Sequence, residues 1–262
     1  MDILEKLILV IKEAGASLLK YYENEAVITY KENDQPVTDA DLASQKIIIE
    51  GLSSFGYPIC SEELENDLAR LKADKVWIVD PMDGTKDFIE RTGEFCVMIA
   101  LIEKGEPVLG AIYKPVGDIL YFAQKGKGAF RRIGNGKDLR LSVSSVDDPN
   151  KATMLLSRHH LQPAEVMVAE KLGIKKCIPC GSAGVKAGLI ASGKAELYIV
   201  SSDTTSEWDA CAGDIIIRES GGQITDTKGN KLIYNKKKPT NPRGFIVSNG
   251  LIHSAVVREL NI

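Results

Sequence analysis

The sequence predicts a protein of layered helices and sheets, α+β in its first half and α/β in its second. Three observations carry this reading. An amphipathic helical repeat opens the chain, four short apolar runs separated by tight turns follow, and beyond residue 150 extended and helical patterns alternate. In order, Ile3, Leu4, Leu7, Ile8, Ile11, Ala14, Leu18, Leu19 and Tyr22 fall on one face of a helix. A polar stretch, 31–36, precedes a second helical pattern that opens at Thr38-Asp39-Ala40-Asp41 and runs through Leu42, Ile48, Ile49 and Leu52. Strands are expected at 76–79, 95–102, 108–113, 119–123 and 128–131. Gly-Glu-Pro, Pro-Val-Gly-Asp and Gly-Lys-Gly separate the last four, which predicts an antiparallel meander. Gly134-Asn135-Gly136 predicts a tight turn before 139–143. Asp147-Asp148-Pro149-Asn150 predicts a boundary between a first domain, 1–149, and a second, 150–262. The second half reads as strand 153–156, helix 163–172, strand 176–178, helix 185–191 and strand 196–200. A helix over 210–220 stopped by Gly221-Gly222, a strand over 244–247 and a helix over 254–260 complete it.

With 262 residues, 44% hydrophobic and 26% charged, the chain has the composition of an ordinary globular protein, which excludes a disordered tail, a collagen-like rod and a small disulfide scaffold. Five cysteines, an odd number, argue for reduced thiols and a cytoplasmic setting. Asp2 and Glu5 stand where a signal peptide needs Lys or Arg. The longest apolar run, 95–102, is far short of the about 20 residues that span a bilayer. A net charge of −3 gives no general attraction to nucleic acid or anionic lipid, and Lys236-Lys237-Lys238 reads as a solvated loop. A nucleic-acid partner and a transmembrane segment are therefore not expected.

The chemistry lies in carboxylates. In Trp77-Ile78-Val79-Asp80-Pro81-Met82-Asp83-Gly84-Thr85, Pro81 cannot continue a ladder and Gly84 tolerates positive φ, so a sharp turn is expected. Such a turn lets Asp80, Asp83 and the Met82 carbonyl face one side, a hard-oxygen set suited to Mg²⁺. Thr85 then opens a short helix whose free N–H groups favour an anion. Glu62 in Ser61-Glu62-Glu63, Asp209 in Trp208-Asp209 and Asp41 are the other acids singled out. Each alone has an ordinary explanation: a turn residue for Asp80 and Asp83, a capping box for Asp41, an N-cap for Asp209, a surface acid for Glu62.

The ordered series Pro36-Val37-Thr38-Asp39-Ala40-Asp41, Ser61-Glu62-Glu63, Trp77 to Thr85 and Trp208-Asp209-Ala210 resembles the lithium-sensitive, magnesium-dependent phosphatases of the inositol monophosphatase superfamily over nearly the whole chain. Lys86-Asp87-Phe88, Arg91-Thr92-Gly93-Glu94-Phe95, Gly105-Glu106-Pro107-Val108-Leu109-Gly110, Ser157-Arg158-His159 and Asn241-Pro242-Arg243-Gly244-Phe245 are similar to its bacterial 3'(2'),5'-bisphosphate nucleotidase branch. Gly181-Ser182-Ala183-Gly184-Val185-Lys186 departs: Ala183 stands where that branch usually carries Ser, as in inositol phosphatases, whereas Lys186 follows the nucleotidases. The resemblance implies a sugar-phosphatase-like αβαβα sandwich whose first domain carries most metal ligands. It also implies hydrolysis of the 3'-phosphate of 3'-phosphoadenosine 5'-phosphate, a by-product of sulfate activation, to AMP and phosphate. Two or three Mg²⁺ ions would be held by Glu62, Asp80, the Met82 carbonyl, Asp83 and Asp209, of which Glu62, Met82, Asp83 and Asp209 would also border the substrate. Asp41 and Thr85 would form the dyad that activates water, and Gly84 and Thr85 would bind the transferred phosphoryl. Lys186, Arg158 and His159 would meet the second phosphate and the adenosine. Inhibition by Li⁺ is a family trait. The sequence leaves open a homodimer and a peripheral contact with the inner face of the membrane.

Rival readings are an inositol monophosphatase or fructose bisphosphatase and, outside enzymes, a nucleotide-binding regulator. Neither a G-x-S-x-G elbow nor a G-x-x-x-x-G-K-[ST] loop is present, so serine hydrolase and P-loop readings fail. Cys177-Ile178-Pro179-Cys180 invites a redox role, but on a strand its two thiols point to opposite faces. His159-His160 reads as a solvent-facing pair.

Overall fold

Helix α1 (Ile3–Glu23) begins at a capping box made by Asp2 and Glu5, and buries Leu7, Val10, Ile11, Ala14 and Leu18 along one face. The computed structural model describes residues 2–24, 26–30 and 36–261, so most of the polar stretch expected at 31–36 lies outside the described residues. A two-stranded ribbon, β1 (Ile28–Tyr30) with β2 (Pro36–Thr38), leads into α2 (Asp39–Leu52), capped by Thr38. Next come β3 (Ile59–Ser61), β4 (Lys75–Asp83), α3 (Thr85–Ile89), β5 (Cys96–Glu103), β6 (Glu106–Lys114), β7 (Ile119–Gln124), β8 (Gly128–Ile133) and β9 (Leu139–Arg140). The remainder is β10 (Thr153–Ser157), α4 (Pro163–Lys171), β11 (Lys176–Cys180), α5 (Ala183–Ala191), β12 (Leu197–Val200), α6 (Trp208–Glu219), β13 (Gln223–Thr225), β14 (Phe245–Ser248) and α7 (His253–Leu260).

Strands β3 to β9 form one seven-stranded sheet in sequence order, antiparallel except for the parallel β3–β4 pair. The five-stranded sheet has the order β11-β10-β12-β14-β13, with β11, β10 and β12 parallel and the last two pairings antiparallel. Side-chain alternation divides the larger sheet between two cores. Trp77, Val79, Val97, Ile99 and Leu101 face α1 and α2, while Val76, Ile78, Cys96, Met98 and Ala100 face α5 and α6. The same two helices pack on Tyr198, Val200, Phe245 and Val247 of the smaller sheet, whose other face (Met154, Leu197, Ile199, Ile246) is covered by α4 and α7. The layers are therefore αβαβα, as the resemblance implies. Gly110 shows how closely the central layer sits: a Cβ there would lie 2.5 Å from Ile215 Cγ2 of α6.

The meander is as the turn residues predict. Four expectations need correction. The chain does not turn sharply at Pro81: β4 runs on to Asp83 through a register shift between Asp80 and Asp83. A bulge leaves backbone groups out of the ladder, so proline is tolerated there, and the Ser44 hydroxyl donates to the Pro81 carbonyl at 2.7 Å. Strand β11 extends past Ile178 through Pro179, which an edge strand permits. Strand β9 covers only two of the residues expected at 139–143. Finally, Lys237 and Lys238 are exposed but Lys236 turns inward, its ammonium 3.7 Å from the buried Glu207 carboxylate.

Candidate active site

The bulge at the end of β4 and the start of α6 bring three carboxylates together. Oxygens of Asp80, Asp83 and Asp209 all lie within 4.8 Å of one another, and Glu62, just past β3, lines the same cleft. Each acid is aimed by its own element. Asp80 is 1% exposed and accepts from the Met82 N–H at 3.0 Å. One oxygen of Asp83 accepts from the Ser182 hydroxyl and, at 2.8 Å, from the Gly184 N–H at the start of α5. Asp209 accepts from the Ser206 N–H at 2.6 Å. It sits in the first turn of α6 and is not the N-cap the sequence suggests, a position held by Glu207.

Burial pushes the Asp80 carboxyl well above the usual range, and Glu62, Asp83, Asp209 and Asp41 push it further. Asp209 moves the same way, through burial and then Glu62 and Asp83. Among the described residues no Lys, Arg or His forms an ion pair with Asp80, Asp83 or Asp209. Three carboxylates crowded in this way, unpaired with any base among the described residues, fit a hard divalent cation, whose charge would let them ionise together.

Asp41, 2% exposed, serves two directions. Its Oδ2 accepts from the Thr38 N–H at 2.7 Å and the Thr38 hydroxyl at 2.8 Å, completing the capping box of α2. Its Oδ1 is 3.4 Å from Thr85 Oγ1, which also lies 3.3 Å from the Met82 carbonyl oxygen. The ordinary capping explanation and the functional one thus use different oxygens of one side chain. Burial lifts the Asp41 carboxyl to about 7 against the pull of the Thr38 bonds, with Glu63 and Glu62 adding to the rise. Gly84, between Asp83 and Thr85, has φ +93°, and a Cβ there would lie 2.9 Å from the Glu94 carbonyl oxygen.

The cleft, about 520 Å³, extends from these acids to a wall that includes Lys186, Arg158 and His159. Lys186 is 2% exposed, donates to the Cys180 carbonyl at 3.0 Å and has its ammonium 4.5 Å from the centre of the Tyr198 ring. The Arg158 guanidinium is engaged by Asp87, at 3.0 Å, and by Glu94. His159 Nε2 lies 3.3 Å from Asp87 and 3.6 Å from Glu90. All the site residues expected from the sequence except Asp41 line this one cleft, and Asp41 reaches it through Thr85. Cys177 is exposed and Cys180 buried, and burial raises both thiols, Cys180 to about 11, which leaves neither activated as a thiolate.

A sequence model of the inositol monophosphatase family matches residues 2–261. The chain belongs to that family. Among its relatives is the 3'(2'),5'-bisphosphate nucleotidase CysQ of Salmonella typhimurium, 35% identical over 94% of this chain and 99% of the relative. Among solved structures, CysQ of Bacteroides thetaiotaomicron superposes with a TM-score of 0.80 at 34% identity, covering 93% of this chain and 96% of that one. The IMPase of Thermotoga maritima superposes with a TM-score of 0.84 at 28% identity, covering 100% of this chain and 97% of that one.

Several residues that shape this cleft escape a reading of the sequence. Ser182 stands out only as part of a substrate-side stretch, yet it holds Asp83 and caps α5 from a positive φ of 56°. Asp87 stands out in the sequence only as part of Lys86-Asp87-Phe88, yet it is 2% exposed and gathers Arg158 and His159. Its partners lie about 70 positions further along the chain, so no local pattern marks it. Glu207 emerges only with the structure, and the contacts of Asn241, which the sequence marks only within a motif, emerge with it.

Proposed function

We propose that the protein is a Mg²⁺-dependent phosphatase that removes the 3'-phosphate of 3'-phosphoadenosine 5'-phosphate, giving AMP and phosphate. The observation that carries the reading is the trio of Asp80, Asp83 and Asp209 beside the Asp41–Thr85 contact, in a cleft with basic residues on its far wall. The choice of substrate is supported by relatives at 33–35% identity that are nucleotidases of this kind. Glu62, Asp80, the Met82 carbonyl, Asp83 and Asp209 would hold two or three Mg²⁺. Bound there, the metal supplies charge neutralisation of the phosphate and acidification of a water. The Thr85 hydroxyl donates to Asp41, which leaves the Thr85 oxygen free to accept from a water aimed at phosphorus, whose proton would pass through Thr85 to Asp41. Backbone N–H groups of Gly84 and Thr85, at the start of α3, take the phosphoryl oxygens where charge is held through the reaction. Asp83 stays oriented because Ser182 and Gly184 occupy its other oxygen.

In this reading residues 1–149 carry most metal ligands, and 150–262 add Asp209 and the substrate wall. Lys186 meets the second phosphate. Arg158, held by Asp87 and Glu94, and His159 shape the nucleoside end. The setting is cytoplasmic sulfur assimilation, with inhibition by Li⁺; among the described residues no helix is long and apolar enough to cross a membrane. Ala183 and the backbone shared with the Thermotoga maritima IMPase favour a second reading, inositol monophosphate as substrate. A panel of adenosine bisphosphate, inositol monophosphate and fructose bisphosphate scored by kcat/KM decides: the adenosine compound is expected to lead by at least tenfold, and a lead for inositol monophosphate would overturn the assignment.

A further inference from the structure

Glu207 has a carboxylate that is 0% exposed, two residues before Asp209. It holds the N-cap position of α6 but makes no capping bond. A buried carboxylate is costly unless its oxygens are satisfied. Here they are filled from outside the helix: the Asn235 N–H donates to one oxygen at 2.7 Å and the Lys236 N–H to the other at 2.8 Å. The segment that supplies these donors, 235–241, clasps the same turn from the other side. The Glu207 N–H donates to the Pro239 carbonyl at 2.8 Å. Asn241 donates through its side chain to the Ser206 carbonyl at 2.6 Å and through its backbone to the Thr205 carbonyl at 2.7 Å. Ser206, held in this way, is the residue whose N–H orients the Asp209 carboxylate.

The opposite edge of 235–241 is tied to the chain just after Glu62. Arg70, 1% exposed, donates to the Lys236 carbonyl at 2.7 Å and to the Asn235 side chain, and Asn66 donates to the Lys237 carbonyl at 3.0 Å. Arg70 also donates to Asn66 Oδ1 at 2.8 Å. One strap is thus pinned between the segment that follows Glu62 and the turn that carries Asp209, two acids that approach the cleft from different parts of the fold.

We infer that Glu207 is a positioning residue: through the 235–241 strap it sets the place of Asp209, and thereby the affinity of the acidic cluster for divalent cations. The inference rests on the proposed metal site. Glu207→Gln turns one of the two acceptors into an NH₂ that faces a backbone N–H, so one strap contact becomes repulsive. Residues that orient metal ligands typically alter metal affinity by about 10- to 100-fold.

The test is calorimetric titration of substrate-free protein with Mg²⁺, alongside kcat measured across Mg²⁺ concentrations and unfolding measured in chelator. For Glu207→Gln the expected result is Mg²⁺ affinity weakened at least tenfold, with kcat restored to within threefold of wild type at saturating Mg²⁺. In an Asp209→Asn background the same change should add less than twofold to the loss of affinity. Unchanged Mg²⁺ affinity, whatever the stability, overturns the inference, as does a full additional loss in the Asp209→Asn background. Asn241→Ala removes the side-chain bonds to the Ser206 carbonyl and the Lys236 ammonium while leaving the Glu207 carboxylate in place. It is judged by the same criteria should Glu207→Gln not fold. Wild-type protein that binds no Mg²⁺ would instead overturn the proposed function.

Discussion

Replacing Asp41 by Asn tests the catalytic geometry with little disturbance of the fold. The amide oxygen can keep both bonds from Thr38, at 2.7 and 2.8 Å, so the cap of α2 survives. The amide nitrogen then faces Thr85 Oγ1 across 3.4 Å, and an acceptor has become a donor. The Thr85 hydroxyl is left with the Met82 carbonyl, 3.3 Å away, as its acceptor, so its oxygen no longer turns toward water in the required sense. Loss of a general base costs about 100- to 10,000-fold in rate, which corresponds to about 3–5 kcal/mol in the barrier. Stability should fall by no more than about 1 kcal/mol, the scale of a helix cap. The assay is phosphate release at saturating Mg²⁺ together with thermal unfolding; Thr85→Ser, which keeps the hydroxyl, should retain activity within tenfold. Folded Asp41→Asn enzyme with kcat within threefold of wild type would refute the dyad.

Three further outcomes are expected. Gly84→Ala should lower the free energy of urea unfolding by about 1–3 kcal/mol, the cost of a strained backbone site, because φ is +93° and the added Cβ meets the Glu94 carbonyl at 2.9 Å. His253 is held between Thr225 Oγ1 and Ser248 Oγ, each at 2.8 Å, and burial pushes its imidazole down to about 4. The unfolded chain therefore binds a proton that the folded one refuses, so stability is full above the ordinary histidine value and is lost as pH falls toward 4. That loss amounts to about 3 kcal/mol by urea unfolding across the window, and His253→Gln should flatten it. Mg²⁺ at a hundred times its dissociation constant should stabilise the wild type by about 2.7 kcal/mol, and Asp209→Asn should remove most of the resulting rise in Tm.

Legibility in the sequence follows the locality of the signal. Helix α1 and strands β5 to β8 can be read directly, because each buries a face whose period is visible within a few residues and each is bounded by its own turn. The Asp80 to Thr85 segment is legible as oxygen chemistry but not as a bulge. Pro81 argues against a strand unless the ladder is broken there, and the donor its carbonyl needs comes from Ser44, 37 positions away. Asp41 is ambiguous because it is at once a cap and a neighbour of Thr85, 44 positions away. Glu207, Lys236 and Arg70 are illegible for a different reason. Charged residues are ordinarily solvated, and only a contact spanning 165 positions explains why Arg70 is buried against Asn235.

The measurement that tests the central claim most directly is anomalous scattering from crystals grown with Mn²⁺ in place of Mg²⁺. The account predicts metal peaks bonded to Asp80, Asp83 and Asp209, with Glu62 and the Met82 carbonyl completing the set. Peaks confined to other acids, with the trio holding only water, would contradict it.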